Sequence, residues 1–74
     1  MTHICAVFRS RSQAIDCISR LRRLRVAAKL INTPRDANVG CGLSVMFSSD
    51  DASRVRNVIK GANYSAFYGF LTIR

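Results

Sequence analysis

THICAVFRSRSQ, residues 2–13, sets a strand directly before a helix start, and the rest of the chain repeats that order. Thr2 to Phe8 is short, apolar and β-prone, with Ile4, Ala6 and Phe8 on one face and His3, Cys5 and Val7 on the other. Ser10-Arg11-Ser12-Gln13 then has the S-x-x-Q form of a capping box, in which the serine caps a backbone N–H and the glutamine reaches back. Ala14, Ile18 and Leu21, flanked by Ile15, Cys17 and Leu24, recur at three- and four-residue steps, while Arg20, Arg22 and Arg23 fall largely outside that stripe. The predicted helix is amphipathic and ends near Arg25.

Val26 to Ile31 reads as a second strand, which stops at about Asn32 because Pro34 has no N–H to give a ladder. The segment TPRDANVGCG, Thr33 to Gly42, is rich in turn-forming residues and makes a long loop. Leu43, Val45 and Phe47 alternate with Ser44 and Met46 as a third strand. Ser48-Ser49-Asp50-Asp51 offers a cap and puts acidic groups at the positive end of a helix dipole. Ala52, Val55, Val58, Ile59 and Ala62 keep helical spacing, and Gly61 with Asn63 supplies stop signals. Ala66 to Ile73 is a fourth strand, read with Phe67, Leu71 and Ile73 on one face and Tyr68, Phe70 and Thr72 on the other. The order β-α-β-β-α-β, with right-handed crossovers, predicts an α+β ferredoxin-like sandwich. Its four-stranded antiparallel sheet should carry both helices on one face.

The 74 residues allow one domain, 1–74. Apolar residues at 49% and charged residues at 22% set the chain apart from disordered or collagen-like sequences. A chain of this size buries only about 60% of its unfolded surface, which makes self-association into a homodimer an expectation. Ten Arg and two Lys oppose four Asp, for a net charge of +8. An anionic partner is one reading of that excess, and a GC-rich genome is another. Cys5, Cys17 and Cys41 are odd in number and lack C-x-x-C spacing. With no signal peptide and no eighteen-residue apolar run, the expected setting is a reduced cytoplasm, away from the membrane.

In the predicted architecture the end of the first strand, the start of the first helix, the long loop and the end of the second helix share one edge. Gly40-Cys41-Gly42 is thereby placed near Arg9, Ser10 and Arg11. A cysteine between glycines has little side-chain cover, and a helix N-terminus with nearby guanidinium groups favours the thiolate. Two readings stay open from spacing alone, a reactive thiol and a small residue in a tight turn.

The run Leu30-Ile31-x-Thr33-Pro34-Arg35, then five residues, then Cys41-Gly42-Leu43, resembles the signature of small bacterial selenium/sulfur carrier-like proteins. Phe8-x-Ser10 with Ala14 four residues on is similar to that family's opening segment, and the likeness covers essentially the whole chain. The resemblance implies that Cys41 holds sulfur or selenium as a persulfide or selenosulfide, that Thr33, Pro34, Arg35 and Gly42 shape its loop, and that the partners are donor and acceptor proteins. The chain departs from its relatives at Asn38-Val39-Gly40, where they are serine-rich, and in a basic surface where their helices carry Glu.

Other chemistry is thinly represented. Cys17 reads as a small core residue, and His3 with Cys5 gives no tetrahedral metal set. One His, no Glu and four Asp, mostly at turns and helix starts, supply no triad, no paired carboxylates and no glycine-rich phosphate loop. No cofactor and no metal are expected, and the chain reads as a thiol carrier rather than a catalyst. The rival class is a nucleic-acid-binding module, with Tyr68 and Phe70 on the sheet's uncovered face. RNA-recognition domains, however, carry their aromatic signature on the third strand, where this chain has Ser44 and Met46. Those exposed aromatics, with Val7 and Met46, are read instead as a packing or dimer surface. A regulatory small-ligand module is a third class that the fold permits.

Overall fold

The computed structural model describes residues 2–33 and 42–73. Strand β1, His3–Phe8, leads through Arg9 and Ser10 into helix α1, Arg11–Arg23. Strand β2, Ala28–Asn32, and strand β3, Leu43–Ser48, come next. A 3-10 turn, Ser49–Asp51, opens helix α2, Ala52–Ala62, and strand β4, Phe67–Ile73, closes the sheet. The strand order is β2-β3-β1-β4 and the three pairings are antiparallel, the ferredoxin-like arrangement expected from the element order.

Each helix starts and stops where local chemistry directs. The Ser10 hydroxyl accepts from the Gln13 backbone N–H at 3.3 Å, as the cap requires. Gln13 does not reach back to Ser10, however. Its side-chain oxygen instead accepts from the Ala66 N–H at 2.8 Å, and its amide nitrogen donates to the Ser65 hydroxyl at 3.0 Å. At the far end of α1, Leu24 is the cap, Arg25 turns left-handed, and Arg54 of α2 donates to the Leu24 carbonyl at 2.7 Å. The Ser48 hydroxyl caps the 3-10 turn, and Asn63, left-handed with φ 54°, ends α2.

One layer of core lies between sheet and helices. Ala6, Phe8, Val45 and Phe47 meet Ala14, Cys17, Ile18 and Leu21 of α1 and Val55 and Ile59 of α2, with Val26 closing the corner. Burying the Phe, Leu, Ile and Val side chains of this layer contributes about 1.5–3 kcal/mol each, and the layer holds the fold together. Phe8 anchors an aromatic cluster, edge-on to Tyr64 at 5.3 Å and tilted to Phe67 at 5.5 Å. Ile15 and Leu24, at the flanks of the helical stripe, are exposed.

The facing of β4 differs from the sequence reading. Between Phe8 and Val7 the pairing of β1 with β4 shifts by one residue, so that Phe67 lies opposite Phe8 and Gly69 opposite Val7. That bulge, with Gly69 at φ +156°, resets the alternation. Phe70 therefore sits opposite Ala6 on the helix side, stacked edge-on against Phe47 and Phe67. Leu71 lies opposite Cys5 on the other side. Of the aromatic pair assigned to the uncovered face, Phe70 is thus on the helix side, and Val7, assigned there as an exposed group, is buried with Cys5 and Ser44. No helix among the described residues is long and apolar enough to cross a membrane.

Candidate functional site

The C-terminal end of β1 gathers the groups that the sequence places at one edge. Gly42 packs so closely there that a Cβ built on it would stand 2.5 Å from the Phe8 carbonyl oxygen. Only glycine allows that approach. Thr33, on the other arm of the β2–β3 connection, donates its N–H to the Gly42 carbonyl at 3.2 Å. The Thr33 hydroxyl accepts from the buried Ser44 hydroxyl at 3.1 Å. Both arms are thus tied to each other and to the sheet, and Ser44, a buried polar group on β3, has its partner supplied by Thr33.

The β1–α1 turn completes this edge. Arg9 donates its N–H to the Ala66 carbonyl at 2.9 Å, joining that turn to the lead-in of β4. Gln13 holds the same lead-in through Ser65 and Ala66. Arg9 and Arg11 are exposed, and Arg9 lies over the Tyr68 ring, its guanidinium carbon 5.0 Å from the ring centroid. Ser10 shares a hydrogen bond with the Ser12 hydroxyl at 2.9 Å beside its capping role. The positive end of the α1 dipole therefore lies at the same end of the sheet as Gly42, while the Arg9 guanidinium turns toward β4.

Among the described residues no acidic group pairs with Arg9 or Arg11. Asp50 and Asp51 belong to the opposite end of the sheet, where Ser49 donates to the Thr2 carbonyl. Asp16 is occupied, accepting from Arg20 at 2.9 Å and from the Tyr64 hydroxyl at 2.6 Å. The Tyr64 hydroxyl and then Arg20 hold its carboxyl below the usual carboxylate range. Desolvation, then the hydrogen bond to Asp16, pushes the Tyr64 hydroxyl well above its ordinary value.

Of the residues assigned to the site, Thr33 and Gly42 are hydrogen-bonded to each other beside Phe8, and Arg9, Ser10 and Arg11 follow Phe8 in the β1–α1 turn, the Arg9 guanidinium lying over Tyr68. Pro34, Arg35, Gly40 and Cys41 lie outside the described residues. Cys5 and Cys17 are buried. Burial pushes the Cys5 thiol up; burial and then Asp16 push Cys17 to about 11. Both are poor nucleophiles at neutral pH. Among the described residues no group of three His, Cys, Asp or Glu is placed to hold a metal ion.

Two contributors are not legible in the sequence. Ser44 reads there as a polar residue on the uncovered face, yet it is fully buried and anchors Thr33. Gln13 reads as half of a capping box, and its bond to Ala66 spans 53 residues, a distance over which no local pattern carries a signal.

A family model described as "Putative Se/S carrier protein-like" matches residues 3–68. No curated protein and no solved structure matches the chain.

Proposed function

The chain belongs to this selenium/sulfur carrier-like family, and on that premise we propose that it is a carrier whose Cys41 holds one chalcogen atom, as a persulfide or selenosulfide, for delivery to an acceptor. The family match over residues 3–68 carries the reading. The placement of Gly42 supports it, because the residue bonded to Cys41 is pinned against Phe8, two residues before Ser10, the N-cap of α1. The helix N-terminus at that end, with the Arg9, Arg11 and Arg35 guanidinium groups expected to approach it, would favour thiolate over thiol. Cys5 and Cys17, buried and with raised pKa values, leave Cys41 as the thiol suited to the task.

Loading is a thiol exchange. The Cys41 thiolate attacks the outer sulfur of a donor persulfide; a new S–S bond forms as the donor's S–S bond breaks, and the donor departs as a thiolate. The proton on the outer sulfur travels with it, and no external oxidant is consumed. Delivery reverses the roles: an acceptor nucleophile takes the outer atom and Cys41 leaves as thiolate, which a lowered pKa assists. A selenium atom moves by the same steps. Donor and acceptor are proteins of a reduced cytoplasm, and the chain acts as carrier, with Thr33, Pro34, Arg35, Gly40 and Gly42 shaping the loop around the thiol.

Mass spectrometry of protein purified without reductant, before and after exposure to a small-molecule persulfide donor, tests this. The expected result is one added sulfur per chain on Cys41, absent from Cys41→Ser and discharged by a thiol acceptor. Alkylation of the single-cysteine variants against pH should show Cys41 reacting first. Loading undiminished in Cys41→Ser, or faster alkylation at Cys5 or Cys17, overturns the carrier reading.

A further inference from the structure

Among the described residues the strand order leaves β4 with one unpaired side. Its seven residues, FYGFLTI, contain no charged residue and no proline, whereas the opposite edge strand, β2, carries Lys29. A charge within an edge strand is a usual guard against added strands, and β4 has none. The bulge at Tyr68 and Gly69 blunts one end of β4, but from Phe70 to Ile73 the pairing with β1 runs without a shift.

The charge that the edge lacks is supplied from both sides of it. On the helix side Arg56 of α2 lies over Phe70, its guanidinium carbon 5.9 Å from the ring centroid. Tyr68 comes after Phe67, which packs on Phe8, and by alternation faces the other side, where Arg9 lies over it. Tyr68 is 50% exposed and Phe70 41%. A guanidinium over a ring keeps donors free in its plane for a carboxylate. On the helix side a cleft of about 390 Å³ adjoins the strand, formed by Ile59, Tyr64, Phe67 and Phe70 with Arg56 and Lys60.

We infer that the free edge of β4 is the docking site of an extended acidic segment of a partner protein, which adds to the sheet as a fifth strand. Main-chain hydrogen bonds to β4 give such a complex its affinity, and alternate side chains on either face give its specificity. Carboxylates on one face of the added strand meet Arg56 and Lys60 above an apolar cleft. Those on the other face meet Arg9. Charge decides against a second copy of the chain as occupant: two-fold pairing of β4 with β4 sets one protomer's Arg9 and Arg56 toward the same groups of its partner, on chains of +8 each. A nucleic acid would find the stacked cations but has no ladder to offer the strand edge. Edge and charge alone support this docking, whatever Cys41 carries.

The probe is a blocked, fluorescein-labelled octapeptide of alternating Glu and Val. Binding is monitored by anisotropy, and its place by amide shifts of the full-length protein. Binding should move the amides of Phe70 to Ile73, weaken with salt, and fall about tenfold or more in the Arg9→Ala/Arg56→Ala double variant. N-methylation of every second peptide residue on the sheet-facing side should abolish it, a readout that needs no variant to fold. Equal binding of the N-methylated peptide, shifts confined to other elements, or displacement by oligothymidylate from the same amides would each overturn the proposal. So would sedimentation of the chain alone as a dimer that Phe70→Glu dissolves.

Discussion

At Gly42 the missing side chain is dictated by a backbone oxygen, and that makes the position sharply testable. A methyl group there would stand 2.5 Å from the Phe8 carbonyl, whose atoms belong to a paired strand and have nowhere to go. Gly42→Ala is expected to lower stability by about 1–3 kcal/mol, as other overpacked sites do. Gly61 is the internal comparison, since nothing lies within 4 Å of a Cβ built on it. Gly61→Ala should raise stability by up to about 1 kcal/mol through helix propensity alone. Urea unfolding of both variants gives the two signs; a neutral Gly42→Ala would mean that the loop base is not held against β1.

Between elements, the bond from Tyr64 to Asp16 joins the α2–β4 connection to α1, and it has a pH signature. Asp16 has a lowered pKa in the fold, so its contribution is present above the unfolded value and lost as pH falls through the folded one. Tyr64 has a raised pKa, so its contribution is complete below the ordinary value of about 10 and drains away as pH rises beyond it. The stability difference between wild type and Tyr64→Phe should therefore be widest across the neutral range and narrow at both extremes. Comparing the two proteins cancels the alkaline titration of Cys17, whose raised pKa removes stability over part of the same range. A difference that does not vary with pH would show that the hydroxyl bond contributes nothing.

The elements also show how far local pattern reaches. Helix α2 has the predicted limits because its start and stop are local events, a serine cap with its acidic turn and a left-handed Asn63. The facing of β4 is not legible beyond Tyr68, because alternation assumes an unbroken ladder and a one-residue bulge swaps the faces of every later residue without altering composition. For the candidate site, the placement of the β1–α1 turn at the same end of the sheet as Thr33 and Gly42 is a consequence of topology, which element order reveals. The Ser44–Thr33 bond that ties the loop base is not, since a buried hydroxyl on a strand looks the same in sequence as an exposed one.

At the scale of the whole molecule, charge and connectivity are both asymmetric. Asp50 and Asp51 mark one end of the sheet, while the β1–α1 turn that carries Arg9 and Arg11 lies at the other, where Gly42 packs on Phe8. The central pair, β1 with β3, is made early in sequence terms, but the β1–β4 ladder matches His3 with Ile73 and so closes almost the entire chain into a loop. Closed first, that loop is the longest the topology holds; once β1 and β3 are paired, only the segment from Ser48 to Phe67 remains to be closed, so β4 joins most cheaply last. The last strand to join should be the first to leave. Native-state hydrogen exchange is expected to show β4 amides opening in a sub-global unit at lower free energy than those of β1 and β3, with β4 substitutions speeding unfolding while leaving the refolding rate nearly unchanged. Equal protection of β1, β3 and β4 would mean instead that the sheet assembles in one concerted event.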